Sequence, residues 1–164
     1  MLHRAGRGKE NLSDDQQITI MDQQTHHIAN RPPREVSDED LFEVIADFLA
    51  LGHVENIVAM FRQDQRLFAW TGRLLADNRL SVRLGVSVLF EYLVALCPEK
   101  TPLAIPSLAR QLGHPTDWVR GEAASVLALI GGDEALSLVP PLLNDPSPQV
   151  REVAFDILGI SPHG

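Results

Sequence analysis

Six histidines, one cysteine and 22 carboxylates are the side chains of this sequence that could bind a metal, relay protons or attack a substrate. The histidines are scattered. His3, His26, His27 and His163 lie towards the chain ends, His53 follows Gly52, and His114 sits in a Gly-His-Pro turn. None stands at a metal-ligand spacing from another His, Cys or carboxylate, and the adjacent His26 and His27 would project differently from any regular element. Cys97 closes the apolar run Val94-Ala95-Leu96, the setting of an inert core thiol. A lone cysteine excludes an intramolecular disulfide and a Cys-rich metal site, which fits a reducing compartment. Gly131-Gly132 has no Lys-Ser/Thr behind it, so it reads as a helix stop and not as a phosphate loop. Asp133 and Glu134 then open the next helix, where carboxylates favour the positive end of the helix dipole. No Gly-x-Ser-x-Gly elbow or Ser/His/Asp pattern is present in the sequence. The expectation is a non-enzymatic protein with no metal and no cofactor.

The elements that carry these residues are helical. Hydrophobic residues make up 45% of the 164 residues but aromatic ones only 5%, a Leu/Val/Ile/Ala-rich composition suited to helix-on-helix packing in one folded unit. Net charge is −8 and unevenly placed: residues 1–36 carry five Lys/Arg against five Asp/Glu, and residues 37–164 carry nine against seventeen. An acidic body repels phosphate, which argues against nucleic acid and anionic membranes as partners. The basic N-terminus has no apolar segment behind it, and no stretch approaches the roughly 18 apolar residues of a membrane span. A cytoplasmic location is expected.

Residues 1–36 read as a polar tail broken by Pro32-Pro33, with Met21 as an alternative start. Residues 37–164 read as the folded domain. Ser37 with Asp38, Glu39 and Asp40 opens a first helix that runs through Leu41, Phe42, Ile45 and Leu49 to a stop at Gly52. A second helix is expected from Val54 to Arg62 and a third from Arg66 to Ala76. The chain then repeats. Leu75-Ala76-Asp77-Asn78-Arg79-Leu80-Ser81-Val82-Arg83, Leu112-Gly113-His114-Pro115-Thr116-Asp117-Trp118-Val119-Arg120 and Leu143-Asn144-Asp145-Pro146-Ser147-Pro148-Gln149-Val150-Arg151 align, with Val-Arg steps 37 and 31 residues apart. That period is a helix–turn–helix unit. Val82, Val86 and Phe90 match Val119, Ala123 and Leu127, then Val150, Ala154 and Leu158, a four-residue spacing that places each set on one helical stripe. A single pair cannot cover both faces, so the units must stack.

The turn Asp145-Pro146-Ser147-Pro148-Gln149-Val150-Arg151 and the helix Trp118 to Gly131 resemble the HEAT-repeat family, in particular its short bacterial subtype related to phycobilisome-lyase HEAT-like repeats. The resemblance is strong over 103–159, fair over 65–97 and weak over 37–64. It implies an all-α, right-handed α-solenoid of stacked antiparallel helix pairs, with about eight helices. It also implies a hydrogen-bonded ladder between turn aspartates and helix-opening arginines of successive repeats. Asp77 with Arg83 and Asp145 with Arg151 fit it, while His114 takes the aspartate place opposite Arg120. The three arginines are therefore architectural, and Pro140-Pro141 read as a kink in a bent first helix.

Second helices of stacked pairs line a concave face where partners bind. Its outward positions are expected to include Glu91 and Tyr92, then Gly121, Glu122, Ser125 and Ala128, then Glu152 and Asp156. Trp118 stands at a helix start as core or interface anchor, and Trp70 as core. The expected function is a protein-interaction or scaffold module engaging a neutral or basic protein segment. The alternatives are an accessory or lyase-like subunit assisting enzyme maturation or cofactor attachment, and, against the charge, a nucleic-acid binder. With Ser161-Pro162-His163-Gly164 directly behind the last helix, that helix caps itself or pairs with a second copy, which leaves homodimerisation open.

Overall fold

A computed structural model describes residues 35–161 of the chain. Residues 1–34 of the tail expected over 1–36, the start at Met21, and His3, His26, His27 and His163 lie outside the described residues.

Eight α-helices form among the described residues, without a strand. Helix α1 (Asp38–Ala50) starts on three acidic residues and buries Phe42, Ile45, Ala46 and Leu49. It stops where Gly52 turns to φ +81°, a left-handed conformation that residues with a Cβ rarely adopt. Helix α2 (Val54–Gln63) buries Val54, Ile57, Val58 and Phe61. The expected third helix is in two pieces, a 3-10 segment η1 (Gln65–Trp70) and the short α3 (Thr71–Leu75). The same construction recurs as η2 (Thr101–Ala104) and α5 (Ile105–Gln111), with a proline in the first turn of each piece. The long helices are α4 (Leu80–Leu96), α6 (Asp117–Ile130) and α8 (Pro148–Leu158).

Pro140-Pro141 break the chain between α7 (Gly132–Leu136) and the 3-10 segment η3 (Pro140–Asn144), where a kinked but continuous helix was expected. Neither proline has an N–H to return to the preceding turn. The backbone crosses the gap on three-residue bonds instead, Val139 N–H to Leu136 O at 3.2 Å and Leu142 N–H to Val139 O at 2.9 Å.

Helices α1, α4, α6 and α8 pack in that order as one layer. The segments α2, η1–α3 and η2–α5 neighbour one another as the second layer, and η3 lies against α8. This is an all-α solenoid. Two glycines bring backbones together: a Cβ on Gly85 would stand 2.8 Å from the Leu49 carbonyl oxygen, and one on Gly72 would collide with the carbonyl of Ser107. Phe61, Phe68 and Phe90 meet edge to face in the core, with ring centroids 5.1 and 6.5 Å apart. The repeat stripes point inward: Val82, Val86, Phe90, Val119, Ala123, Leu127, Val150 and Ala154 are buried. Leu158, on the last described helix, is half-buried.

Candidate functional site

Four turns share one local device: the one before η1 and the three that lead from the second layer into α4, α6 and α8. An acceptor side chain bonds the backbone N–H two residues on: Asp64 to Arg66 at 3.0 Å, Asp77 to Arg79 at 2.8 Å, His114 Nδ1 to Thr116 at 3.0 Å, and Asp145 to Ser147 at 2.8 Å. Such Asx-type turns compete with helix and so hold the break between two helices. Histidine performs the aspartate's local task at residue 114.

Three of these turns, those at Asp77, His114 and Asp145, are then gripped from behind by the helix-opening arginine. Arg83 donates Nη1 to the carbonyls of Asp77 and Asn78 (3.3 and 3.2 Å), Arg120 to those of His114 and Pro115 (2.8 and 3.2 Å), and Arg151 to those of Asp145 and Pro146 (2.6 and 3.2 Å). The pairing within a turn is thus arginine to main chain. The Asp77 carboxylate takes Arg79, which also reaches Asp47 at 2.7 Å. Carboxylate contacts of the clamp arginines run forward, to the next repeat. Arg120 holds both oxygens of Asp145 at 2.8 and 2.7 Å. Arg83 has only His114 at the corresponding place and takes Glu122 instead, at 3.2 Å. The Arg120 guanidinium holds the Asp145 carboxyl below the usual carboxylate range. Desolvation dominates at Glu122 and pushes its carboxyl up, against the opposing pull of Arg83.

The guanidinium of Arg83 also lies 3.8 Å from the centroid of the Trp118 ring. Trp118 is half-buried and forms a wall of a groove of about 280 Å³ between α6 and α8, lined by Asp117, Trp118, Gly121, Glu122, Ser125, Gln149, Val150 and Val153. Trp118 and Glu122, two of the expected binding positions, therefore meet through one arginine, with Ser125 in the same groove. Gly121, expected to face outward, is buried at its floor against Val150 and Val153. Glu91, Tyr92, Glu152 and Asp156 are exposed, on α4 and α8. Among the described residues Glu91, Glu152 and Asp156 make no ion pair, whereas Arg66, Arg73, Arg79, Arg83 and Arg120 are all engaged with carboxylates.

Of the outward face of α4 the sequence pointed to Glu91 and Tyr92 only, and its apolar run was missed. Leu80 (55% exposed), Leu84 (58%), Val88 (38%), Tyr92 (43%) and Leu96 (53%) lie bare, while Val82, Gly85, Val86, Leu89, Phe90 and Leu93 fill its inner side. Leu51, 71% exposed, extends the patch across the end of α1, and a shallow groove there is lined by Leu49, Leu51, Val54, Leu84 and Val88. The signal was present in the sequence: α4 is apolar all round and has Arg83 and Glu91 as its only charges. The other reactive groups sit apart from this face. Cys97 is buried, and burial pushes its thiol up. Trp70 packs edge to face on Phe42 at 6.1 Å. No cluster of three or more His, Cys, Asp or Glu that could hold a metal ion occurs among the described residues, and no helix among them is long and apolar enough to cross a membrane.

Comparison with curated proteins and with solved structures returns no match. Residues 100–162, the stretch that builds η2 through α8 and both walls of the Trp118 groove, match the family model for HEAT repeats.

Proposed function

We propose that this protein is a non-enzymatic interaction module that seats a partner protein along the outward faces of α4, α6 and α8. The observation that carries this reading is α4: a helix apolar on all sides is normally enclosed, and here its outward half is open to solvent. HEAT repeats commonly serve as protein-interaction scaffolds, which fits. The exposed acids Glu91 on α4, Asp117 on α6 and Glu152 and Asp156 on α8 favour a partner segment that is apolar where it touches α4 and neutral or basic elsewhere. The arginines that could track a phosphate backbone are largely committed to carboxylates and turn carbonyls, which disfavours nucleic acid.

The test is affinity purification of the tagged full chain at moderate salt, with the retained material identified by mass spectrometry. Wild type retains a reproducible protein partner, and the Leu84→Glu/Val88→Glu variant, whose changes lie on exposed positions, loses it with Tm unchanged. Equal retention by the variant, or recovery of nucleic acid or a chromophore in place of a protein, overturns the reading. A Glu122→Gln/Glu152→Gln/Asp156→Asn variant then weakens capture if the acidic rim contributes.

A further inference from the structure

We infer that the groove between α6 and α8 is a slot for one lysine side chain of the partner segment; this rests on the reading of the same face as a protein-docking surface. Three observations point to this occupant. The walls are apolar and already fixed: Trp118 is held from one side by Arg83, itself tied to two turn carbonyls and to Glu122, and Val150 and Val153 stand opposite. A methylene stem is what such walls bury.

The charged side chains lining the groove are both carboxylates; Arg83 balances Glu122, and Asp117, without an ion pair among the described residues, leaves a net negative charge that attracts a cation at the tip and repels an acid. The nearby cations do not compete, because Arg83 is bonded to Glu122 and Arg120 to Asp145. Lysine is favoured over arginine by the state of those carboxylates. Asp117 accepts the Trp118 backbone N–H at 2.8 Å and the Ser147 hydroxyl at 3.0 Å, one on each oxygen, and Glu122 is turned to Arg83. Neither offers an open pair of oxygens to a guanidinium fork, whereas an ammonium needs only a point contact.

The floor supplies the third observation. Gly72 and Gly85 are glycines because a Cβ would strike a neighbouring backbone, but a Cβ on Gly121 would meet only Val150 Cγ2 and Val153 Cγ2, each at an ordinary 3.9 Å. Helix packing does not require glycine there, and helix propensity disfavours it. Its effect is to leave the floor of the slot open.

The experiment is an NMR titration of the ¹⁵N-labelled full chain with N-acetyl-lysine methylamide, read at the Trp118 indole and Gly121 amide signals. N-acetyl-norleucine methylamide, which keeps the four-carbon stem and lacks the ammonium, serves as the neutral probe and N-acetyl-glutamate methylamide as the acidic one. The lysine probe gives saturable shifts, binding about fivefold tighter than the norleucine probe as an exposed ion pair allows, and the glutamate probe gives none. Gly121→Met abolishes the lysine shifts, and Gly121→Ala, which fits without a clash, weakens them without lowering Tm. Absence of saturation, equal binding of lysine and norleucine probes, or undiminished binding by both Gly121 variants overturns the slot. Partner capture that still depends on Leu84 and Val88 would then show the docking face intact and only the slot assignment wrong.

Discussion

The guanidinium of Arg120 spans from α6 to the turn before α8 and closes on both oxygens of the Asp145 carboxylate, with the two side chains only 11% and 4% exposed. Asp145 also accepts the Ser147 N–H, so this one carboxylate fastens its own turn and the preceding repeat. Removing one member of so enclosed a pair strands the other without water. Arg120→Ala should cost about 3 kcal/mol and Asp145→Asn somewhat less, because the amide still caps the turn; urea unfolding followed by circular dichroism measures both.

The same pair sets a pH dependence. The folded pKa of Asp145 lies below the unfolded value of about 3.9, so its contribution is complete above that pH and is lost as pH falls through the depressed folded value. Asp145→Asn should therefore flatten the acid limb of stability against pH. A limb of unchanged steepness in the variant would show that other carboxylates carry it.

Restoring aspartate at residue 114 should complete a rung. His114 already performs the turn-capping half of the aspartate's work through Nδ1, but it leaves Arg83 to find Glu122. His114→Asp should raise Tm by a few degrees, corresponding to about 0.5–1 kcal/mol. It should also make Glu122→Ala less destabilising than it is in the wild-type background, a coupling that a double-mutant cycle reads directly.

Two neighbouring buried hydroxyls should behave in opposite ways. Ser107 Oγ accepts the Gly72 N–H at 3.2 Å and donates to the Ala104 carbonyl at 3.0 Å, so Ser107→Ala orphans a buried donor, at about 1–3 kcal/mol. Thr71 Oγ1 is buried and has no partner, so Thr71→Val should be neutral or stabilising. Thermal melts of the two variants separate the cases.

The glycines divide in the same manner. Gly85→Ala forces α4 away from the Leu49 backbone and should cost about 1–3 kcal/mol, whereas Gly121→Ala should gain about 0.5–1 kcal/mol. Ala123→Leu, in a fully buried seam position, belongs with the first group at about 1–3 kcal/mol.

What could be read from the sequence follows from which signals are local. Val82/Val86/Phe90 and their counterparts repeat at four-residue spacing, so the inward stripes and the solenoid were legible before any coordinates. The split of the third helix at Thr71 was not, since a 3-10 segment such as Gln65–Trp70 buries Leu67 and Phe68 much as an α-helix would and leaves hydrophobic spacing nearly unchanged. The double proline at 140 and 141 was visible, but whether the helix bends or ends depends on bonding around it. Placing Asp77 opposite Arg83 followed from the family resemblance; the arginine's preference for carbonyls, and the capture of the Asp77 carboxylate by Arg79, depend on geometry within the turn. The Arg83–Trp118 stack joins residues 35 apart and has no local signature at all. On α4 hydrophobic spacing could not separate the two sides, because Leu80, Leu84 and Val88 are as apolar as the inward Val82, Val86 and Phe90.

The clamp by Arg83, Arg120 and Arg151 asks nothing of the side chains it secures, because every acceptor is a main-chain carbonyl. Asn78, Pro115 and Pro146 hold equivalent places without resembling one another. At that second place of the connector sequence is therefore free to drift while the joint keeps its angle, whereas the first place, Asp77, His114 or Asp145, must still supply the side-chain acceptor that caps the turn.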